Sequence, residues 1–209
     1  MTVSSHDNCF LCQPNQDLVV ATYGNVFSMV GLGPITERYL MIAAKDHVQS
    51  FADFFLNEPE IAGEIEKTRA VLEYGREPLL MTEHGRVPAC LDDKDEHDAH
   101  CFHAHVLLFQ STKDIEEVAS GYFMKREVFG CLSDALAYAA ECQNYHLLSP
   151  NSNRFVVLTG ALNVPRQFFR QLVAIEEDQP ELADWRHRPH VERALANAER
   201  ERTRYGASG

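Results

Sequence analysis

Two histidines alternate with apolar residues in one short stretch, which reads Cys-Phe-His-Ala-His-Val-Leu over residues 101–107. Alternation predicts a strand that carries His103 and His105 on one face and apolar side chains on the other. Imidazole is the side chain best suited to nucleophilic attack and proton transfer near neutral pH, so the pattern indicates a candidate catalytic strand. The alternative is a half-buried strand with two surface histidines.

A second candidate site lies near the N-terminus, where Cys9 and Cys12 form a Cys-x-x-Cys knuckle, the commonest half of a zinc site. Such a site needs two more ligands. His47 is one candidate, and either Cys101 or His100 is the other. Sulfur and nitrogen ligands at these positions would form a closed structural zinc site. The alternative is that the two knuckle cysteines are free thiols.

Composition limits the class of protein. The chain has 209 residues, of which 45% are hydrophobic, so it can form one domain with an elaboration. A net charge of −12 disfavours general binding to nucleic acid or to an anionic membrane. No apolar run is long enough to span a bilayer, and residues 1–8 lack the pattern of a secretory signal. We therefore expect a cytoplasmic protein whose six cysteines are thiols or metal ligands.

The elements that must position these residues follow a regular order in the first half of the chain. Strand patterns cover residues 17–22, 26–30, 38–44, 78–82 and 101–109, and a single helix pattern covers residues 50–74 between the third and fourth strands. This order predicts an α+β domain built on a five-stranded antiparallel sheet, which we assign to residues 1–112.

Residues 113–209 are predicted to form an α/β extension packed on the same domain. Helix patterns cover residues 115–120 and 133–142, a hairpin follows over residues 145–159, and Pro165 begins a further helix. Arg166 and Arg170 share one face of that helix and could contact a phosphate or an acceptor. The basic terminal helix over residues 186–204 is best interpreted as a solvated face.

The motifs taken in order resemble the histidine triad (HIT) superfamily of nucleotide hydrolases and transferases. The resemblance rests on the knuckle at residues 9–12, the strand and turn at residues 33–51, the Glu-His-Gly at residues 83–85 and the histidine strand at residues 101–107. It covers about residues 9–109, with a looser similarity over residues 165–186. It implies a HIT-like fold, a sheet with one long helix, and a homodimer that pairs through that helix and a sheet edge.

The chain departs from the HIT pattern at the first triad position, where Cys101 replaces a histidine. The resemblance then places His103 at the nucleophile position and His105 at the third. In zinc-containing members the first triad histidine can be a metal ligand. A thiolate at Cys101 would preserve that role beside Cys9, Cys12 and His47.

The resemblance implies that His103 attacks the α-phosphorus of a nucleotide and forms a covalent nucleotidyl-histidine, which water or another acceptor resolves. His105 would contact phosphate oxygens or protonate the leaving group. Glu83 and His84 would border the phosphates as substrate-binding residues. No catalytic metal is required. The substrate could be a dinucleoside polyphosphate, a nucleoside phosphoramidate or a nucleotide sugar.

Two other functions remain open from the sequence. One is a zinc-stabilised nucleotide-binding or accessory protein with reduced or no catalysis. The other is a metal-dependent hydrolase that uses the histidines as metal ligands.

Overall fold

Eight strands form one antiparallel sheet in the computed structural model, which describes residues 9–86, 103–111 and 113–206. The strands are β1 (Val19–Tyr23), β2 (Val26–Val30), β3 (Tyr39–Ala44), β4 (Leu80–Gly85), β5 (His105–Phe109), β6 (Phe123–Phe129), β7 (Tyr145–Asn151) and β8 (Arg154–Ala161). The helices are α1 (Phe51–Asn57), α2 (Ile61–Glu73), α3 (Glu116–Ser120), α4 (Leu132–Ala140), α5 (Phe168–Glu176) and α6 (Val191–Gly206), with a 3₁₀ turn at Pro180–Leu182.

The strand order across the sheet is β1-β2-β3-β5-β4-β7-β8-β6. The α+β class predicted from the sequence is confirmed. The first five strands occupy one half of the sheet, but they do not form a separate five-stranded sheet. Strand β4 pairs with β5 on one side and with β7 on the other, so the extension continues the sheet instead of packing on it.

The single helix predicted over residues 50–74 is two helices, and this part of the prediction is wrong. Helix α1 ends before Pro59, and α2 begins at Ile61. Proline disfavours helical backbone in the residue before it, and Glu58 has a non-helical φ of −137°. Ser50 caps α1 by accepting a hydrogen bond from the amide of Asp53 at 3.2 Å.

The second half contains a strand that the sequence analysis did not predict. Strand β6 forms one edge of the sheet, and its sequence Phe-Met-Lys-Arg-Glu-Val-Phe is largely exposed. Helix α5 begins at Phe168, three residues later than expected, and α6 begins at Val191. A buried ion pair between Arg38 and Glu201, with the charged atoms 3.0 Å apart, fastens α6 to the start of β3.

Different helices cover the two faces of the sheet around β4. Neighbouring residues of a strand point to opposite faces. Accordingly, Glu83 contacts the first turn of α1, whereas His84 contacts the first turn of α5. In the part of the chain that the structure describes, none of the helices has both the length and the apolar character needed to cross a membrane.

Candidate functional site

Two cysteines and two histidines form a compact cluster of ligand atoms. One atom each from Cys9, Cys12, His47 and His103 lies within 4.8 Å of the others. Sγ of Cys12 is 3.1 Å from Nδ1 of His47, and Nδ1 of His103 is 3.4 Å from Sγ of Cys9 and 3.6 Å from Sγ of Cys12. A tetrahedral zinc ion holds sulfur and nitrogen ligands about 3.5 Å apart. The cluster can therefore bind a metal ion such as zinc.

Backbone hydrogen bonds bring the four ligands together. The amides of Cys12 and Gln13 both donate to the carbonyl of Cys9, at 3.1 and 3.3 Å, and this turn directs the two thiols to one side. The loop after β3 carries His47, and it pairs with the segment leading into β5. There the amide of Ala104 donates to the carbonyl of Val48 at 2.8 Å, and the amide of Ala44 donates to the carbonyl of Ala104 at 3.0 Å.

His103 uses both ring nitrogens within this cluster. Its Nε2 lies 2.7 Å from the carbonyl oxygen of Ala44, and because a carbonyl only accepts, Nε2 must carry the proton. Nδ1 therefore presents its lone pair to the two thiols. A ligand histidine that donates its other N–H to a backbone carbonyl is the usual arrangement at a metal site. With 3% of its surface exposed, His103 is poorly placed for the nucleophile role predicted for it.

The predicted ligand set is partly reproduced. Cys9, Cys12 and His47 come together as expected. Cys101, the predicted fourth ligand, and His100, its alternative, lie outside the described residues. The fourth ligand of the described cluster is instead His103, so the donor set is two thiols and two imidazoles. This set matches a Cys₂His₂ structural zinc site in ligand type and number.

His105 is held in the opposite tautomer to His103, with its proton on Nδ1 instead of Nε2. Its Nδ1 lies 2.7 Å from the carbonyl oxygen of His103, so Nδ1 carries the proton. Nε2 then bears a lone pair, and among the described residues no group hydrogen-bonds to it. The ring is partly exposed, and burial lowers its pKa below 6.5, which favours the neutral imidazole. A neutral imidazole with an available lone pair on Nε2 is a nucleophile or a base.

The two predicted substrate-binding residues of β4 differ in their surroundings. Glu83 is buried, and its carboxylate accepts hydrogen bonds from the amide of Phe51 and from the hydroxyl of Tyr145, both at 2.8 Å. It is thus directed at the N-terminus of α1, away from the histidine face. His84 lies on the same face as its cross-strand partner His146 and stacks on Phe169, with ring centroids 5.1 Å apart.

The Arg170 side chain is buried and is held by contacts within the fold. Its guanidinium donates to the carbonyls of Gly33, Leu182 and Ala183 at 2.8 to 2.9 Å. It also lies over the ring of Tyr39, 4.8 Å from the centroid. Arg170 therefore connects α5 to two loops, and with 3% of its surface exposed it is closed off from a phosphate in solvent. Arg166 is partly buried just before α5, and its carbonyl accepts a hydrogen bond from Gln171 at 2.8 Å.

The sequence analysis missed His146, Tyr145 and Phe169 as neighbours of the site. The hairpin predicted over residues 145–159 already placed residues 145–148 in a strand, and this was the available signal for His146. What could not be predicted was that this strand pairs with β4. Searches against protein-family models and against curated proteins found no match for this chain.

Proposed function

We propose that this chain is a HIT-like nucleotide hydrolase or nucleotidyltransferase in which His105 is the nucleophile and the Cys9–Cys12–His47–His103 cluster holds a structural zinc ion. The observation that carries the proposal is the hydrogen bond from Nδ1 of His105 to the carbonyl of His103, 2.7 Å long. It leaves the Nε2 lone pair directed away from the backbone, as attack on phosphorus requires.

The position of His103 in the cluster also favours an alignment in which the triad begins at residue 103 instead of residue 101. In zinc-containing HIT proteins the first triad histidine can be a metal ligand, and the candidate ligand on the segment leading into β5 is His103. His105 then takes the middle position, which the family uses for attack, and Leu107 takes the third. Under this alignment Cys101 lies outside the triad.

The reaction would proceed in two displacements. Nε2 of His105 attacks the α-phosphorus, a nitrogen–phosphorus bond forms, and the leaving group departs with the electron pair of its broken bond. The imidazole becomes positively charged, and its Nδ1–H donates to the His103 carbonyl, whose partial negative charge stabilises that cation. Water or another acceptor then attacks phosphorus and loses its proton to the departed leaving group, while the nitrogen–phosphorus bond breaks and its electron pair returns to Nε2, which restores neutral His105.

Zinc in this cluster would have a structural role, because four protein ligands leave no open position for substrate or water. The donor set therefore favours a structural metal over a metal-dependent hydrolase. A nucleotide-binding or accessory protein without turnover is the second candidate, and the apolar Leu107 at the third triad position favours it.

Intact-protein mass spectrometry after acid quench tests the proposal. Wild type, His105→Gln and His103→Gln would be mixed with diadenosine triphosphate, adenosine 5′-phosphoramidate and UDP-glucose, one probe for each substrate class. We expect a nucleoside monophosphate adduct on wild type and none on His105→Gln, with His103→Gln losing metal. A persistent adduct on His105→Gln would refute the assignment. Nucleotide binding without an adduct or product on wild type would favour the accessory protein.

A further inference from the structure

Three histidines form a row across the middle of the sheet. The ladder between β4 and β7 pairs His84 directly with His146. The ladder between β4 and β5 pairs Thr82 with Leu107, and continuing that register by two residues sets His84 opposite His105. Directly opposite residues of antiparallel strands share a face, with Cβ atoms about 5 Å apart. His105, His84 and His146 are therefore successive neighbours on the face covered by α5.

His84 is held in a single tautomer. The backbone amide of Phe169, in the first turn of α5, donates to Nε2 of His84 at 3.4 Å. Because a backbone amide can only donate, Nε2 is unprotonated, and a neutral imidazole must then carry its proton on Nδ1. The two ring nitrogens point to different sides of the ring, so Nδ1–H is directed away from α5.

The surroundings keep His84 neutral. Burial is the main cause that lowers its pKa well below 6.5, and the neighbouring His146 and His105 add to it. The positive end of the α5 dipole acts in the same direction. His146 is itself neutral, with a pKa that burial lowers to about 3, and it is 1% exposed. The other rings packed against His146 are those of Phe123, Phe168 and Phe169, which carry no charge.

We propose that the Nδ1–H of His84 donates a hydrogen bond to a non-bridging oxygen of the α-phosphate while His105 attacks, which makes His84 a second catalytic residue. This inference rests on the proposed function. Leu107 is the next residue along β5 on the same face as His105, and it has no donor group. Among the described residues, the adjacent strand offers a donor for the phosphate oxygens in His84, a partly exposed side chain beside His105.

His146 would support this arrangement as a positioning residue. Its ring meets the ring of His84 edge-on, with centroids 5.1 Å apart and planes at 88°. The His146 ring also packs against the rings of Phe123 and Phe168. The His84 ring thus contacts both His146 and the stacked ring of Phe169, and these contacts restrain the direction of its Nδ1–H before charge develops.

Two substitutions of His84 separate donation from packing. In His84→Asn the amide nitrogen can occupy the place of Nδ1, so the donor is retained and the contact with Phe169 is lost. In His84→Gln the longer side chain places its amide near the former Nε2, so the contact with α5 is retained and the donor at Nδ1 is lost. A purely structural role for His84 predicts that the Gln variant is at least as active as the Asn variant.

The measurement is the single-turnover rate of adduct formation on His105, by rapid acid quench and mass spectrometry with the probe that labels wild type. Loss of one such donor slows catalysis by about 100-fold or more. We expect that loss for His84→Gln and a rate within about tenfold of wild type for His84→Asn, with binding of the nucleoside monophosphate of that probe changed less than the rate. Thermal unfolding of both variants reports their folding.

The possible outcomes distinguish the two proposals. If wild type forms an adduct and His84→Gln forms it at a rate within threefold of wild type, the His84 inference is refuted and the proposed function stands. If His84→Asn loses as much rate as His84→Gln, the contact with α5 is what matters and the donor role is also refuted. If wild type forms no adduct with any probe, the proposed function fails, and the donor role fails with it.

Discussion

Glu83→Gln should remove part of the pH dependence of the free energy of unfolding. The Glu83 carboxyl is 2% exposed and accepts hydrogen bonds from the amide of Phe51 and the hydroxyl of Tyr145. Burial raises its pKa from 4.5 to about 7, and the nearby Asp53 adds to the rise. The two hydrogen bonds and Arg86 act against this shift but do not cancel it.

The sign and size of the effect follow from proton linkage. Between pH 4.5 and about 7 the folded protein holds a proton on Glu83 that the unfolded chain has lost, so stability falls as pH rises through this window. At about 1.4 kcal/mol per pKa unit, the whole fall amounts to about 3 kcal/mol and is complete above about pH 7. Glutamine is neutral throughout, so the Glu83→Gln variant lacks this fall.

Glutamine also changes one hydrogen bond, because its amide nitrogen must replace an oxygen that accepts from Tyr145. This cost is about 1 kcal/mol and does not depend on pH. We therefore expect the stability of the variant relative to wild type to improve by about 2.5 kcal/mol between about pH 5 and pH 8. Since other titrating groups are common to both proteins, their contributions cancel in the difference.

Urea unfolding of both proteins at several pH values, with metal content held equal, measures this difference. Tyr145→Phe is the matched control, because it keeps the carboxyl and removes a hydrogen bond that favours its ionised form. In that variant the fall in stability should move to higher pH. A difference between Glu83→Gln and wild type that stays constant within about 0.5 kcal/mol from pH 5 to pH 8 would refute the reasoning.

Two further predictions concern the metal cluster and a buried ion pair. Cys12→Ser should remove bound zinc as measured by elemental analysis, because it deletes one ligand of four, while Cys131→Ser, outside the cluster, should keep the wild-type zinc content. Glu201→Gln should destabilise the fold by about 3 kcal/mol in urea unfolding, because it leaves the buried guanidinium of Arg38 without a counter-charge. The exposed Glu199→Gln on the same helix should change stability by less than about 0.5 kcal/mol, and equal effects of both substitutions would contradict this account.

The sequence predicted local elements well where one periodicity dominates. The hairpin of β1 and β2 and the strands β3, β4 and β5 follow from alternation and turn residues, and all five are present. Strand β6 was missed because its centre, Lys125 to Glu127, is charged and lies on a sheet edge, so no apolar run marks it. The pairing of β4 with β7 joins residues far apart in the chain, and local patterns carry no information about it.

For the metal cluster, too, local sequence patterns predicted some of the ligands, and long-range pairing determined the rest. Cys-x-x-Cys spacing was enough to predict the knuckle, and His47 was found from its position after a predicted strand. The fourth ligand could not be chosen, because alternation places residues 101, 103 and 105 on one face and does not determine which of them reaches the knuckle. In the structure, the pairing of Ala104 with Val48 and Ala44 sets that register and brings His103 to the thiols.

His103 physically links the metal cluster to the candidate nucleophile. Its Nδ1 faces the two thiols, its Nε2 donates to the Ala44 carbonyl, and its own carbonyl accepts from Nδ1 of His105. One residue therefore fixes a metal ligand through its side chain and the tautomer of the next histidine through its backbone. Because a bound metal would restrain the His103 ring, it would also restrain the carbonyl that positions His105. Under the proposed function, a metal with no open coordination position would thus contribute to catalysis by pre-organising His105.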